Sequence, residues 1–354
     1  MNNLNFDYCK NILITGGCGF IGGNLIINLL QNTNSRIFNI DKLGYASDTN
    51  RINNFLAKNN EKKSRYQFFN LDLRENEKID QAIQLAKPDL IFHLAAESHV
   101  DNSIKSPGIF IENNIIGTYN LIDSSFKYWD SLNSSEKSNF RFLHISTDEV
   151  FGSLGELGSF NENSPYDPRS PYSASKASSD HLANAWFHTY GFPVIITNCS
   201  NNFGPWQFPE KLIPLVTLRG LKKEFIPLYG DGKNVRDWLF VEDHINALIL
   251  VASKGEIGSR YCIGGSNEKS NYEVIKNICK HLDDINPNHS PHIDLLTYVE
   301  DRPGHDRRYS INSKKIREEL GWEEKNSFEK NIKKTIFWYA QNIEWCNEML
   351  KRSF

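Results

Sequence analysis

The chain holds no C-x-x-C pair and no Cys/His cluster at zinc spacing: its six cysteines, Cys9, Cys18, Cys199, Cys262, Cys279 and Cys346, are scattered through 354 residues. That spacing excludes a zinc-ribbon module and gives no sign of a disulfide framework, so the cysteines are read as reduced, mostly buried thiols. The histidines gather nowhere as metal ligands, and no metal is expected. Apolar runs are short, none approaching the roughly 20 residues that a membrane helix needs. The opening residues Met1 to Tyr8 lack the basic start and apolar stretch of a secretory signal. The expectation is a soluble, cytoplasmic protein with no membrane partner. Nor does one sign of charge prevail: 40 Lys and Arg stand against 43 Asp and Glu, a formal charge of -3. Nucleic acid is therefore not an expected partner, although local basic pockets could take small anions. Internal repeats and low-complexity linkers are also missing.

What is present is a chain with 39% hydrophobic and 23% charged residues, long enough for a large core and for two domains or one elaborated domain. Short β-branched runs alternate with helical stretches through the first 200 residues. Asn11 to Thr15, Arg36 to Ile40, Asp89 to Leu94, Phe140 to Ser146 and Val194 to Thr197 read as strands. Phe20 to Leu30, Glu75 to Ala86, Gly108 to Trp129 and Tyr172 to Tyr190 read as helices. This alternation predicts an α/β fold, a doubly wound Rossmann-type parallel sheet with ligands at the carboxyl ends of its strands. After Asn202, turn formers and aromatics (Phe203 to Pro209, Ile226 to Gly232) predict a smaller C-terminal α/β substrate lobe. Helical patterns follow near Tyr272 to Leu282, Asn312 to Leu320 and Ser327 to Trp345. The expected division is residues 10-203, with 237-263 returning to the sheet, against 204-236 and 264-345.

Gly16-Gly-Cys-Gly19-Phe20-Ile21-Gly22 follows a strand and opens a helix, which is the context a dinucleotide fingerprint needs. Glycines there permit a tight turn and close approach of a pyrophosphate, whose charge is met by N–H groups at the helix start. The spacing is G-x-x-G-x-x-G. Asp41 ends the second strand 19 residues after Gly22. A carboxylate at that place accepts hydrogen bonds from adenosine ribose hydroxyls and repels a 2′-phosphate, favouring NAD over NADP, with Lys42 beside it as the contrary signal.

Downstream, Thr147, Asp148 and Glu149 close a buried-looking strand, and Tyr172 and Lys176 stand four residues apart, on one face of a helix. A Tyr and Lys at that spacing usually belong to an ordinary half-exposed face. Beside a dinucleotide site they read as acid/base chemistry joined to hydride transfer, with Lys176 and a bound nicotinamide lowering the phenol pKa from its usual value of about 10. An acid/base carboxyl pair can divide proton tasks if one member stays protonated and the other ionised.

With these segments in view, the chain resembles the nucleotide-sugar 4,6-dehydratases of the extended short-chain dehydrogenase/reductase family, most closely those acting on dTDP-glucose, from Ile12 to about Tyr339. Thr15 to Gly22, Ala95 to Asp101, Ser146 to Val150, Pro171 to His181, Asn198 to Asn202, Pro209 to Pro214, Arg236 to Leu239 and Asp301 to Arg308 carry the likeness. The resemblance implies that Tyr172 takes the 4-hydroxyl proton during oxidation by NAD, Glu149 removes the C5 proton, and Asp148 protonates the departing C6 hydroxyl. Thr147 would bond the sugar near O4 while Lys176 holds the ribose. It further implies cofactor contacts at Asp72, Leu73, Leu94, Ala95, Ala96, Asn113 and Asn202. The nucleotide-diphosphate hexose would meet Ser98, Asn201, Lys211, Leu212, Pro227, Tyr229, Arg236, Asn267, Asp301, Arg302 and His305. Arg236 is the natural diphosphate partner, since a guanidinium grips phosphate oxygens in two places. The same resemblance implies a homodimer formed by the helices near Gly108 to Trp129 and Tyr172 to Tyr190, and a route to rhamnose or another 6-deoxy sugar.

Asn102, Asn113 and Phe151 depart from the family's usual Arg, Thr and Tyr, and Gly44 and Ser47 alter the loop after Asp41. A UDP-glucose 4,6-dehydratase and a nucleotide-sugar 4-epimerase are the rival readings. An epimerase has no use for Asp148 and Glu149. A cofactor-sensing binding protein and an NADP-linked reductase are more distant alternatives.

Overall fold

The computed structural model describes residues 9-301 and 305-352. Twelve strands run through them in chain order: β1 (Asn11–Thr15), β2 (Arg36–Asp41), β3 (Tyr66–Asn70), β4 (Leu90–His93), β5 (Arg141–Thr147), β6 (Val194–Cys199), β7 (Asn201–Phe203), β8 (Ile226–Tyr229), β9 (Val235–Phe240), β10 (Arg260–Ile263), β11 (Glu268–Ser270) and β12 (Leu296–Val299). Seven form one sheet in the order β10-β6-β5-β4-β1-β2-β3, with every neighbouring pair parallel.

Alternation of side chains across this sheet splits the core in two. Ile12 and Ile14 of β1, Leu143 of β5 and Ile195 of β6 face one apolar layer, closed by the Phe20–Asn32 and Val241–Lys254 helices. Leu13, Phe142, Val194 and Ile196 face the other, closed by the Asn76–Ala86, Gly117–Asp130 and Pro171–Tyr190 helices. Apolar residues on both faces are what a parallel sheet covered on two sides requires. Each fully buried Ile, Leu or Phe contributes on the order of 1.5–3 kcal/mol. Successive connections run outward from β1 to β2 and β3, then reverse to β4, β5 and β6. That reversal opens a crevice at the strand carboxyl ends between β1 and β4.

The other strands build the smaller lobe. β9 pairs with β7 in parallel and with β11 antiparallel, while β12 pairs with β8. Their apolar core, including Ile213, Leu228, Trp238, Ile278, Phe328 and Ile332, lies under the Leu212–Leu221, Asn271–Ile285 and Phe328–Gln341 helices. So only β10 of the 237-263 segment enters the large sheet as a strand; β9 is held in the three-stranded sheet instead.

Two long helical readings are interrupted. Gly108 to Trp129 resolves into a short turn at Pro107–Phe110, a π-helical stretch at Ile111–Ile116 and the Gly117–Asp130 helix. The Ser327 to Trp345 reading breaks at Asn342, after which Ile343–Leu350 starts a separate helix. β3 was absent from the expected strands.

Candidate active site

The cleft at the strand carboxyl ends has about 370 Å³ of free volume. β1 leads into Gly16, whose φ of +73° favours glycine, and the following turn packs backbone on backbone. A Cβ on Gly22 would fall 2.3 Å from the Gly16 carbonyl oxygen, so the helix start can approach the turn only without a side chain there. Gly16, Gly19, Phe20, Ile21 and Gly22 all border the cleft.

Asp41 is 7% exposed at the end of β2. Its Oδ2 accepts the Cys18 N–H at 2.9 Å, and its Oδ1 accepts the Leu43 N–H at 2.8 Å and the Ser47 hydroxyl at 2.9 Å. An ionised carboxylate has about four acceptor positions, so Asp41 is fixed in place with capacity left for a ribose hydroxyl. Lys42 turns away to other partners: its Nζ lies 2.6 Å from Glu97 Oε1 and 2.7 Å from Asn113 Oδ1. The charge that argued for a 2′-phosphate is thus already paired. Asp72, bound to Arg74, and Leu73, Leu94, Ala95, Ala96, Asn113 and Asn202 complete this wall. A narrow glycine turn ending beside a fixed carboxylate fits a dinucleotide such as NAD.

At the end of β5 the chain makes a single 3-10 turn through Asp148–Phe151. Asn198 of β6 donates its amide to the Thr147 carbonyl at 3.0 Å, pinning the strand end. The Thr147 hydroxyl lies 3.3 Å from Asp148 Oδ1 and acts to lower the pKa of the Tyr172 phenol. Asp148 is 1% exposed, and its Oδ2 is buried without a hydrogen-bond partner. Burial, then the nearby Glu149 and Asp237 carboxylates, holds its pKa well above the ordinary range. A protonated carboxyl is the state such surroundings favour. Glu149, the next residue, is only partly buried and borders the cleft with Thr147, Tyr172 and Lys176.

The expected effect of Lys176 on Tyr172 is corrected here. Lys176 donates its ammonium to the Ile145 carbonyl at 2.9 Å. Burial lowers its pKa. Tyr172 is raised well above the usual phenol value by burial, then by Glu149 and Cys199. Helical spacing put both on one face, but the buried ammonium needed an acceptor and found the strand backbone.

The substrate residues separate into two sets. Ser98, Asn201 and Lys211 border the cleft. Leu212 packs toward the smaller lobe's core and Pro227 is buried within β8. Tyr229 is exposed, and Asn267 donates its backbone N–H to Asp237 Oδ1 at 2.8 Å. Asp301 Oδ1 and His305 Nδ1 lie 2.6 Å apart. Arg302 lies outside the described residues. Arg236 is 6% exposed, far from a surface residue: it donates to the Val235 and Asp306 carbonyls at 2.8 and 3.0 Å and lies 4.5 Å from the Tyr309 ring centre. Its charge acts on Asp148, which brings this lobe against the carboxyl pair.

Several contributors were given no role from the sequence. Tyr309 stacks on Arg236 and feels Glu149. Glu210 accepts the Tyr45 hydroxyl at 3.0 Å and lies 3.4 Å from His99 Nε2, bridging the loop after β2 to the loop after β7. Asn102, where the family usually has Arg, lies close enough to the same Tyr45 to act on its phenol.

A family model described as GDP-mannose 4,6 dehydratase matches residues 13-335. Over 347 residues the chain is 49% identical to a dTDP-glucose 4,6-dehydratase of Salmonella typhimurium, covering 96% of this chain and 95% of that one. Among solved structures, it resembles the dTDP-glucose 4,6-dehydratase of Bacillus anthracis in complex with NAD, at 41% identity and a TM-score of 0.84, over 96% of this chain and 99% of the other. It also resembles that of Streptomyces venezuelae, solved with NAD bound, at 38% identity and a TM-score of 0.86, with the same two coverages.

Proposed function

The chain belongs to the dTDP-glucose 4,6-dehydratase family, and on that premise we propose that it converts dTDP-glucose to its 4-keto-6-deoxy sugar, as a hydro-lyase without net redox change. The observation that carries this reading is the carboxyl pair: a buried Asp148 with an unpartnered Oδ2, next to a Glu149 that borders the cleft. NAD, when bound, supplies the hydride acceptor for C4, the hydride returned to C6, and a positive charge beside Tyr172. Tyr172 takes the proton of the 4-hydroxyl, with Thr147 bonding the sugar close to O4 and Lys176 turning to the cofactor ribose. The resulting ketone acidifies C5–H, and Glu149 removes that proton. Asp148, kept protonated by its surroundings, donates to the C6 oxygen, so water leaves across C5 and C6. Glu149 then holds the proton that C5 takes back.

Ser98, Asn201 and Lys211 would hold the sugar nucleotide from the cleft wall, and Arg236 would grip the diphosphate from the smaller lobe. Leu212, Pro227, Tyr229, Asn267, Asp301 and His305 would line the rest of the sugar-nucleotide pocket. The large sheet with its helices would form the cofactor domain, and β7 to β9, β11 and β12 the substrate lobe. We further place the enzyme in the cytoplasm, ahead of rhamnose or another 6-deoxy sugar. A homodimer would cover the exposed Ile111, Ile116, Tyr119 and Tyr190 of the helices expected to pair.

Proton NMR of the protein incubated separately with dTDP-glucose and UDP-glucose, without added reductant, tests the reading. A new C6 methyl doublet with dTDP-glucose is the expected result. The doublet appearing only with UDP-glucose would move the carrier, and a galactose anomeric signal without methyl would make the protein an epimerase.

A further inference from the structure

Behind the glycine turn, on the side away from the cleft, sits a cation that the reaction does not use. Arg51, in the Asn50–Lys58 helix, is 3% exposed. Its Nη2 donates to the Gly19 carbonyl and its Nη1 to the Phe20 carbonyl at 3.1 Å. A Cβ on Gly23 would fall 1.6 Å from Nη2, so the third residue after Phe20 leaves room for this guanidinium alone. In a trans peptide the N–H lies opposite the C=O. The two peptides gripped by Arg51 therefore present the N–H groups of Phe20 and Ile21 on their other side, at the helix start, where no intrahelical partner exists. A cation on the carbonyl side polarises those donors toward an anion and fixes their direction.

The same arginine is tied to the far end of the chain. Its guanidinium lies 5.6 Å from the Trp206 ring centre, and Trp206 packs against Trp338 and Trp345 at 4.7 and 5.3 Å between ring centres. Trp345 donates its indole N–H to Asp48 Oδ2 at 3.0 Å, and the Asp48 backbone N–H donates to the Cys18 carbonyl at 2.7 Å. Arg352 donates to the Ser47 carbonyl. The turn is thereby held by a closed ring of contacts: Gly19 and Phe20 to Arg51, Arg51 to Trp206, Trp206 to Trp345, Trp345 to Asp48, Asp48 to Cys18.

We propose that Arg51 is a positioning residue for NAD, holding the Gly19–Phe20 peptides in place through the Trp206, Trp345 and Asp48 contacts, so that cofactor affinity depends on the C-terminal helices. The proposal rests on NAD being the cofactor. Binding of NAD to the unaltered protein, measured alongside, exposes a failure of that assignment separately from a failure of the variants.

The test is NAD titration by calorimetry into cofactor-stripped Arg51→Gln, with circular dichroism to establish folding. NAD affinity is expected to fall about tenfold, the scale of losing hydrogen bonds to a charged donor. At saturating NAD, kcat and the KM for nucleotide sugar are expected to return to the unaltered values, which a general packing defect would not give. Arg51→Lys, with charge but no planar fork, is expected to recover part of the affinity. Should Arg51→Gln not fold, Trp345→Phe keeps the ring, removes the N–H to Asp48 and is expected to weaken NAD a few-fold. A folded Arg51→Gln, or failing that a folded Trp345→Phe, with unchanged NAD affinity would overturn the proposal.

Discussion

The Thr147 hydroxyl stands 3.3 Å from Asp148 Oδ1 and also favours ionisation of the Tyr172 phenol, so one side chain joins the group that starts the oxidation to the group that finishes the elimination. Substitutions on either side of it should separate the two half-reactions.

Tyr172→Phe removes the base for the 4-hydroxyl and leaves the glycine turn and Asp41 untouched. The kcat is expected to fall about 10²- to 10⁴-fold while NAD affinity stays within error. Steady-state assays with a parallel NAD titration check this; a matching loss of NAD affinity would assign Tyr172 to binding instead.

Asp148→Asn keeps the size of the side chain and abolishes the transferable proton. Oxidation at C4 should continue, seen as absorbance at 340 nm building up with substrate, whereas methyl formation should drop about 10²-fold or more. Because Asp148 is raised by burial and by Glu149 and Asp237, the acid form persists above the usual carboxylate range. Elimination should therefore decline on the alkaline side of the profile, as that proton is lost.

Asp41→Ser takes away the carboxylate that would face a 2′-phosphate. The ratio of NADP to NAD affinity should rise by about tenfold or more, measured by competitive titration. An unchanged ratio would shift the discrimination to Lys42, Glu97 and Asn113.

Gly22→Ala introduces a methyl 2.3 Å from the Gly16 oxygen. Overpacking of this kind costs about 1–3 kcal/mol; if the turn relaxes outward, NAD should bind about 10- to 100-fold more weakly.

His244 offers a pH test. It is fully buried with Nδ1 2.8 Å from Asn202 Oδ1, and burial lowers its pKa to about 3 from an ordinary 6.5. Between those values the unfolded chain binds a proton that the folded one does not, so this group's contribution to stability is lost as pH falls below about 6.5. Urea unfolding at pH 7 and pH 5 should show the protein losing about 2 kcal/mol more than His244→Asn does. Equal losses would mean that His244 is accessible to protons when folded.

How much of this was legible beforehand depended on whether a signal was local. β1 was read to the residue because the glycine turn marks its end and five apolar-rich residues precede it. β3 escaped because Gln67 and Asn70 are exposed and it lies at the sheet edge, where pairing on one side relaxes the apolar pattern. The 237-263 segment was expected to return to the sheet, but nothing in the six residues of β9 says which strand they will pair with. The π-helical stretch at Ile111–Ile116 contains no Gly or Pro to announce it. In the site, Asp41, Asp148 and Glu149 sit at strand ends that sequence order locates, and the cleft gathers all of the expected cofactor residues. Arg51 and Tyr309 gave no such clue, since each works through partners far along the chain. Lys176 was read for its neighbour in the helix, whereas desolvation directed it to the backbone of β5.

The large sheet is completed by β10, which arrives 61 residues after β6 ends and, among the described residues, pairs with no other strand. A chain cut before it would leave β6, six buried residues in a row, as an open edge with its ladder donors and acceptors bare. Such an edge is a template for another strand. Ribosomal synthesis passes through this state, so until residue 263 has emerged the nascent first half is a sticky surface. Its safety then depends on how soon the later segment arrives to cover it.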